Sequence, residues 1–136
     1  MEHKPLNPVV KSFLVCREIF QDARSQDHIL IAPLASLCAH QFPCVVPVNL
    51  YAQLTSGHGV YHPALQLLDV EGRAVWGQTM EPPFEEKDPL SIRILTFLGI
   101  HLCVPRPGKY DLALLLNGEE AARHLLFARY PVRPGG

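Results

Sequence analysis

Charge is scarce in this sequence and never gathers into a long block of one sign: 12 Lys and Arg stand against 13 Asp and Glu in 136 residues, for a formal net charge of -1. So few scattered cations do not build a patch that displaces counterions from a phosphate backbone, so nucleic acid is not an expected partner. Nor does any apolar run approach the roughly 18 residues that cross a bilayer. The opening Met1-Glu2-His3-Lys4-Pro5 lacks the basic segment and apolar stretch of an export signal. Membrane contact is therefore not expected, and the cytoplasm is the expected compartment. The four cysteines, Cys16, Cys38, Cys44 and Cys103, include no C-x-x-C pair. Without an export signal they read as free thiols acting as small hydrophobic side chains. Also missing are a phosphate-cradling glycine loop, an EF-hand pattern and a nucleophile elbow, so nothing in the sequence assigns a catalytic residue or a cofactor.

What the chain does have is apolar content, 48% hydrophobic against 18% charged, together with thirteen prolines and nine glycines. The length suits one domain with a real core. The excess of apolar surface for this size points to coverage by another chain, either a second copy or a different protein, and so to a homo-oligomer. Prolines and glycines cut the chain into short pieces, the punctuation of an all-β domain. Residues before about Ser12 and after Tyr130 lack hydrophobic periodicity and are expected as tails, about 1–11 and 131–136, of a single domain.

The clearest strand runs from Val45 to Thr55. Val46, Val48, Leu50, Ala52 and Leu54 alternate with polar or smaller residues, giving a core face and a wetter one. Pro47 cannot donate to a ladder, so its end of the strand is expected at an edge or a bulge. From Leu90 to Val104 the even positions are Leu, Ile, Ile, Thr, Leu, Ile, Leu and Val. They read as the buried face of a long strand or a bent pair. Tyr110, Leu112, Leu114 and Leu116 share a face before Asn117-Gly118, two residues that tolerate positive φ in a tight hairpin. A strand is expected to follow from Glu119, in competition with a helix. A two-residue turn would set Arg123 against Leu112 on the core face, so that strand needs a bulge. Further hairpins are expected from Leu65 to Trp76, turning at Glu71-Gly72, and from Phe13 to Ala32. The fold expected is an antiparallel two-sheet β-sandwich, immunoglobulin-like, of about seven or eight strands.

With these segments in view, the chain resembles an uncharacterised bacterial family of small β-sandwich proteins, a domain of unknown function. The resemblance rests on Phe13-Leu14-Val15-Cys16, Leu30-Ile31-Ala32-Pro33 and Phe42-Pro43. It continues through Gly59, Leu65-Gln66-Leu67-Leu68-Asp69-Val70-Glu71-Gly72 and Pro107-Gly108-Lys109-Tyr110. It implies the fold and transfers no active site. The segment Ala35 to His40 departs from it by being apolar where a loop is usually polar, and is expected to cover an edge or meet a partner.

Three groups of side chains merit attention as sites. Gly57-His58-Gly59-Val60-Tyr61-His62 frees the backbone around two imidazoles, which suit a metal or a proton shuttle. On one straight strand His58 and His62 would stand about 13 Å apart, so only a turn converges them. Cys38, His40 and Cys44 are soft ligands at irregular spacing, with His101 or Cys103 as the remaining donor for zinc. Tyr51, Tyr61 and Trp76 would form a ligand platform for a sugar or peptide if the three rings shared one exposed face. Glu81, Glu85, Glu86 and Asp88, broken by prolines, read as a solvated connection. The functional expectation is a non-catalytic interaction module that self-associates through strand edges or apolar segments. A small metal-dependent enzyme built on His58 and His62, and a carbohydrate or small-ligand binding domain, are the alternatives.

Overall fold

Period-two alternation with frequent proline and glycine breaks produces strands and no helix across residues 6–132, the part described by the computed structural model of the chain. A four-stranded antiparallel sheet holds β1 (Val9–Gln21), β2 (His28–Pro33), β4 (Cys44–Thr55) and β9 (Ile92–Val104) in the order β2-β1-β4-β9. A five-stranded sheet holds β3 (Ser36–Cys38), β6 (Pro63–Leu68), β7 (Ala74–Thr79), β10 (Gly108–Leu116) and β11 (Glu119–Arg129) in the order β3-β11-β10-β6-β7. The short strands β5 (Gly59–Tyr61) and β8 (Phe84–Glu86) pair as a third, two-stranded sheet. Among the described residues all strand pairings are antiparallel except β3 on β11. Eleven strands in three sheets among the described residues correct the expected seven or eight in two, because the links counted as loops at 36–38, 59–61 and 84–86 themselves pair. β1 starts at Val9, so Val9, Val10 and Lys11 belong to a strand rather than to a tail. Residues 1–5 and 133–136 of the expected tails lie outside the described residues.

The two larger sheets contribute to one core. Val15, Leu50 and Leu102 from one meet Leu65, Leu67, Leu112 and Leu114 from the other, all fully buried. Each such side chain contributes about 1.5–3 kcal/mol by leaving water. Pro47 lies opposite His101 on β9, beyond Asn49, where β4 stops pairing with β1, so the missing N–H falls at a local edge. The apolar segment after β2 does cover an edge: Leu34 and Leu37 are buried and Ser36–Cys38 lie along β11.

Between β10 and β11, Asn117 (φ 54°) and Gly118 (φ 82°) make the turn, and the following segment is strand throughout. One extra residue at Ala121 forms the required bulge: Leu114 faces Ala122 while Leu115 faces Glu120. The shift sets His124 rather than Arg123 against Leu112. Arg123 then lies opposite Ala113 and bonds Asp111 and Glu120 at the surface.

A second bulge corrects the reading of β9. Leu50 pairs with Phe97 and Val48 with Ile100, so β9 carries one extra residue at Leu98-Gly99, where Gly99 has φ 67°. The phase of the strand inverts there. Ile100, Leu102 and Val104 are buried as expected, whereas Leu95 and Phe97 pack on the core, and Ile92, Ile94, Thr96 and Leu98 face outward.

β1 also bends. A straight strand would hold Leu14, the neighbour of Tyr51, about 23 Å from Gln21, the neighbour of His28. The His28 and Tyr51 rings nevertheless lie 5.6 Å apart. The β1–β2 hairpin therefore curls over the outer face of β4, which buries Cys16 completely although it lies outside the main core cluster.

Candidate functional site

The histidine segment folds as a clamp on Leu6, which precedes β1 and bridges to His58. Tyr61 is buried, its ring 5.3 Å from Phe84, and its hydroxyl donates to the Leu6 carbonyl. The same oxygen accepts the His58 N–H at 2.8 Å, and the His58 carbonyl accepts the Leu6 N–H at 3.0 Å. Asn117 ties down the far side: its side chain accepts the His62 N–H at 2.8 Å and donates to the Val60 carbonyl at 3.0 Å. Both histidines are exposed, and their segment is held by the Tyr61 hydroxyl and the Asn117 side chain acting on backbone groups, together with the Leu6–His58 backbone bond. Beside the clamp a cleft of about 650 Å³ opens between Leu6–Pro8 and the β10–β11 turn, with Asn117, Glu119 and Glu120 as polar lining.

The soft-ligand candidates are dispersed. Cys38 ends β3 at the edge of the five-stranded sheet and His40 follows in a bend. Cys44 packs on the core at the start of β4, while Cys103 and His101 face outward from β9 opposite Val45 and Pro47. Among the described residues no three His, Cys, Asp or Glu side chains come together as a metal-holding group. Burial pushes the Cys16 thiol up from its ordinary pKa, and burial followed by the neighbouring Cys103 does the same for Cys44. Neither is thereby activated as a nucleophile.

The aromatic candidates separate as well. Tyr51 is half-buried on the outer face of β4 under the hairpin, Tyr61 is in the core, and Trp76 packs from β7 against the core. Three rings on one exposed face are not formed. Of the acidic cluster, Glu86 pairs with Arg93, whose guanidinium also stands 5.2 Å over the Phe84 ring.

What the fold does assemble is an uncharged surface. The outward positions of β4 are Val45, Pro47, Asn49, Tyr51, Gln53 and Thr55, and those of β9 are Ile92, Ile94, Thr96, Leu98, His101 and Cys103. No Asp, Glu, Lys or Arg interrupts them. Ile92, Leu98 and Val45 remain 64%, 61% and 58% exposed. Even-position counting assigns Ile92, Ile94 and Leu98 to the core and so misses this face. The signal that finds it is Gly99, because a glycine inside a strand pattern marks a bulge.

An all-β chain of mainly antiparallel sheets is the class this geometry defines. The chain belongs to a family of unknown function, DUF6941, whose sequence model matches residues 11–129. No curated protein matches it. Among solved structures it is similar to the Pseudomonas fluorescens alkylpurine DNA glycosylase AlkC bound to DNA containing an abasic site analog. The TM-score is 0.51 at 11% identity, over 90% of this chain and 30% of that one. Such a likeness shows the fold alone, and this chain spans under a third of the glycosylase's length. It does correct the exclusion of nucleic acid drawn from charge: a protein containing this fold is solved bound to DNA. Net charge summed over a chain does not decide what one local surface contacts. Among the described residues no helix is long and apolar enough to cross a membrane.

Proposed function

We propose that this chain is a non-catalytic interaction module, an immunoglobulin-like sandwich that associates with a protein surface through its strand edges and apolar segments. The observation that carries the reading is the uncharged outer face of β9 with the Val45–Pro47 end of β4, where Val45, Ile92, Ile94 and Leu98 stay exposed. Large exposed apolar patches rimmed by polar residues mark association surfaces more often than accidents of composition. Support also comes from the candidate ligands, since among the described residues no three of them gather as a metal-holding group, and the Tyr61 hydroxyl and Asn117 side chain fix the histidine segment through its backbone groups. Four free cysteines agree with work in a reducing compartment such as the cytoplasm.

The test is light scattering on the eluting native protein, coupled to elemental analysis of the same peak. A metal-free protein that self-associates, or that is retained on a partner through the β4–β9 face, supports the module. A monomer carrying one equivalent of metal overturns it in favour of metal-dependent chemistry at His58 and His62.

A further inference from the structure

The two large sheets have four edges, and three are guarded. β2 ends in Pro33 after Ala32 at φ 54°, β3 is three residues long, and β7 is six residues long with Gly77 inside it. Short strands, prolines and irregular backbone are how proteins keep an edge from recruiting another strand. β9 differs. It is thirteen residues long and contains neither lysine nor proline, and among the described residues it pairs with β4 alone. Its bulge at Leu98-Gly99 leaves the stretch Ile92–Leu98 regular. The segment Phe84–Glu86 holds Arg93 on the inner side at the start of that stretch, and beyond it a groove of about 420 Å³ opens between Pro82–Glu85 and Leu95–Phe97.

We infer that β9 pairs antiparallel with β9 of a second copy, about a two-fold axis at Leu95, joining two four-stranded sheets into one. This rests on the interaction-module reading and names its partner. The argument for a second copy is self-complementarity, which a two-fold interface requires of every position. About Leu95, Ile92 falls opposite Leu98 and Ile94 opposite Thr96, all four on the uncharged outer face. On the inner face the strand's one charge, Arg93, falls opposite Phe97 and never opposite itself. It already sits over an aromatic ring, that of Phe84, and its partner Glu86 comes from its own chain. No like charges meet in this register, and exposed Ile92 and Leu98 cover one another.

The experiment measures dimerisation of the full chain by light scattering and sedimentation from about 10 to about 500 micromolar, the range of a weak edge pairing. It compares the wild type with Ile94→Lys, Thr96→Glu and their equimolar mixture. The expected result is a wild-type dimer, each variant alone weakened at least about tenfold by charge placed in the shared ladder, and recovery in the mixture. Recovery is the specific sign, because only this register sets position 94 of one chain opposite position 96 of the other. A dimer that neither variant weakens, or that the mixture fails to restore, overturns the β9 pairing while leaving an interaction module. A metal-free wild-type monomer across the range overturns the pairing too, and one carrying stoichiometric metal overturns both readings. Amide exchange on the wild type gives an answer that does not depend on the variants folding. Protection of Ile92–Leu98 should rise with concentration, and constant protection overturns the proposal.

Discussion

Replacing Gly99 with alanine tests the bulge that turns half of β9 outward. Gly99 has φ 67°, and a Cβ added there meets nothing within 4 Å. The substitution therefore carries no steric clash, and its cost is that of holding an L-residue in the left-handed region, about 1–2 kcal/mol. Alanine also restricts the unfolded chain, which offsets part of that. A net loss of about 1 kcal/mol is expected. Gly77 supplies the opposite sign. It lies exposed in β7 without a positive φ, and an added Cβ would sit 3.5 Å from the Leu65 carbonyl oxygen and 3.8 Å from Gln66 Cγ, ordinary contact distances. Gly77→Ala should leave the native strand unstrained and stabilise by about 0.4–1 kcal/mol through the unfolded chain. Urea unfolding with unchanged slope measures both. The reasoning fails if Gly99→Ala is as stable as wild type, or if Gly77→Ala loses as much as Gly99→Ala.

Asp69 is buried at the β6–β7 turn and accepts the Glu71 N–H at 2.9 Å and the Arg73 N–H at 3.0 Å, with Arg106 at 3.6 Å. Asp69→Ala should cost about 1–3 kcal/mol in urea unfolding, and Asp69→Asn, which keeps an acceptor oxygen, should cost clearly less. Exposed Cys38 and Cys103 should react with a thiol reagent at the rate of a free peptide, whereas Cys16 waits for opening of the β1–β2 hairpin. Burial raises the Cys16 pKa, so above its ordinary value of 9.0 the unfolded chain ionises while the folded chain keeps its proton. Stability from this thiol is thus intact below about pH 9 and declines as pH rises beyond it. Denaturation between pH 8 and about 10.5 should show a steeper loss for wild type than for Cys16→Ala, and identical slopes would disprove the assignment.

Local chemistry determined a good part of this fold. Alternation from Val46 to Leu54 marks the inner face of β4, Asn117-Gly118 makes the hairpin turn, and the clash of Arg123 with Leu112 across that turn demands the bulge found at Ala121. Each follows from residues within one strand or one turn, where the period of two and the cost of positive φ act directly. Tertiary structure decided the rest. One extra residue at Gly99 reverses which side chains of β9 face the core, and the even-position pattern stays apolar on both sides of it, so periodicity alone assigns Ile92, Ile94 and Leu98 to the wrong face. Tyr61 becomes a buried clamp for Leu6, 55 positions away, and Ser36–Cys38 become a parallel edge strand on β11. The curl of β1 over β4 buries Cys16. Strand pairing is a choice among distant backbones that all offer the same N–H and C=O groups. The sequence of one strand records which face can be buried, and the assembled sheets determine its neighbour and which edge is left without one.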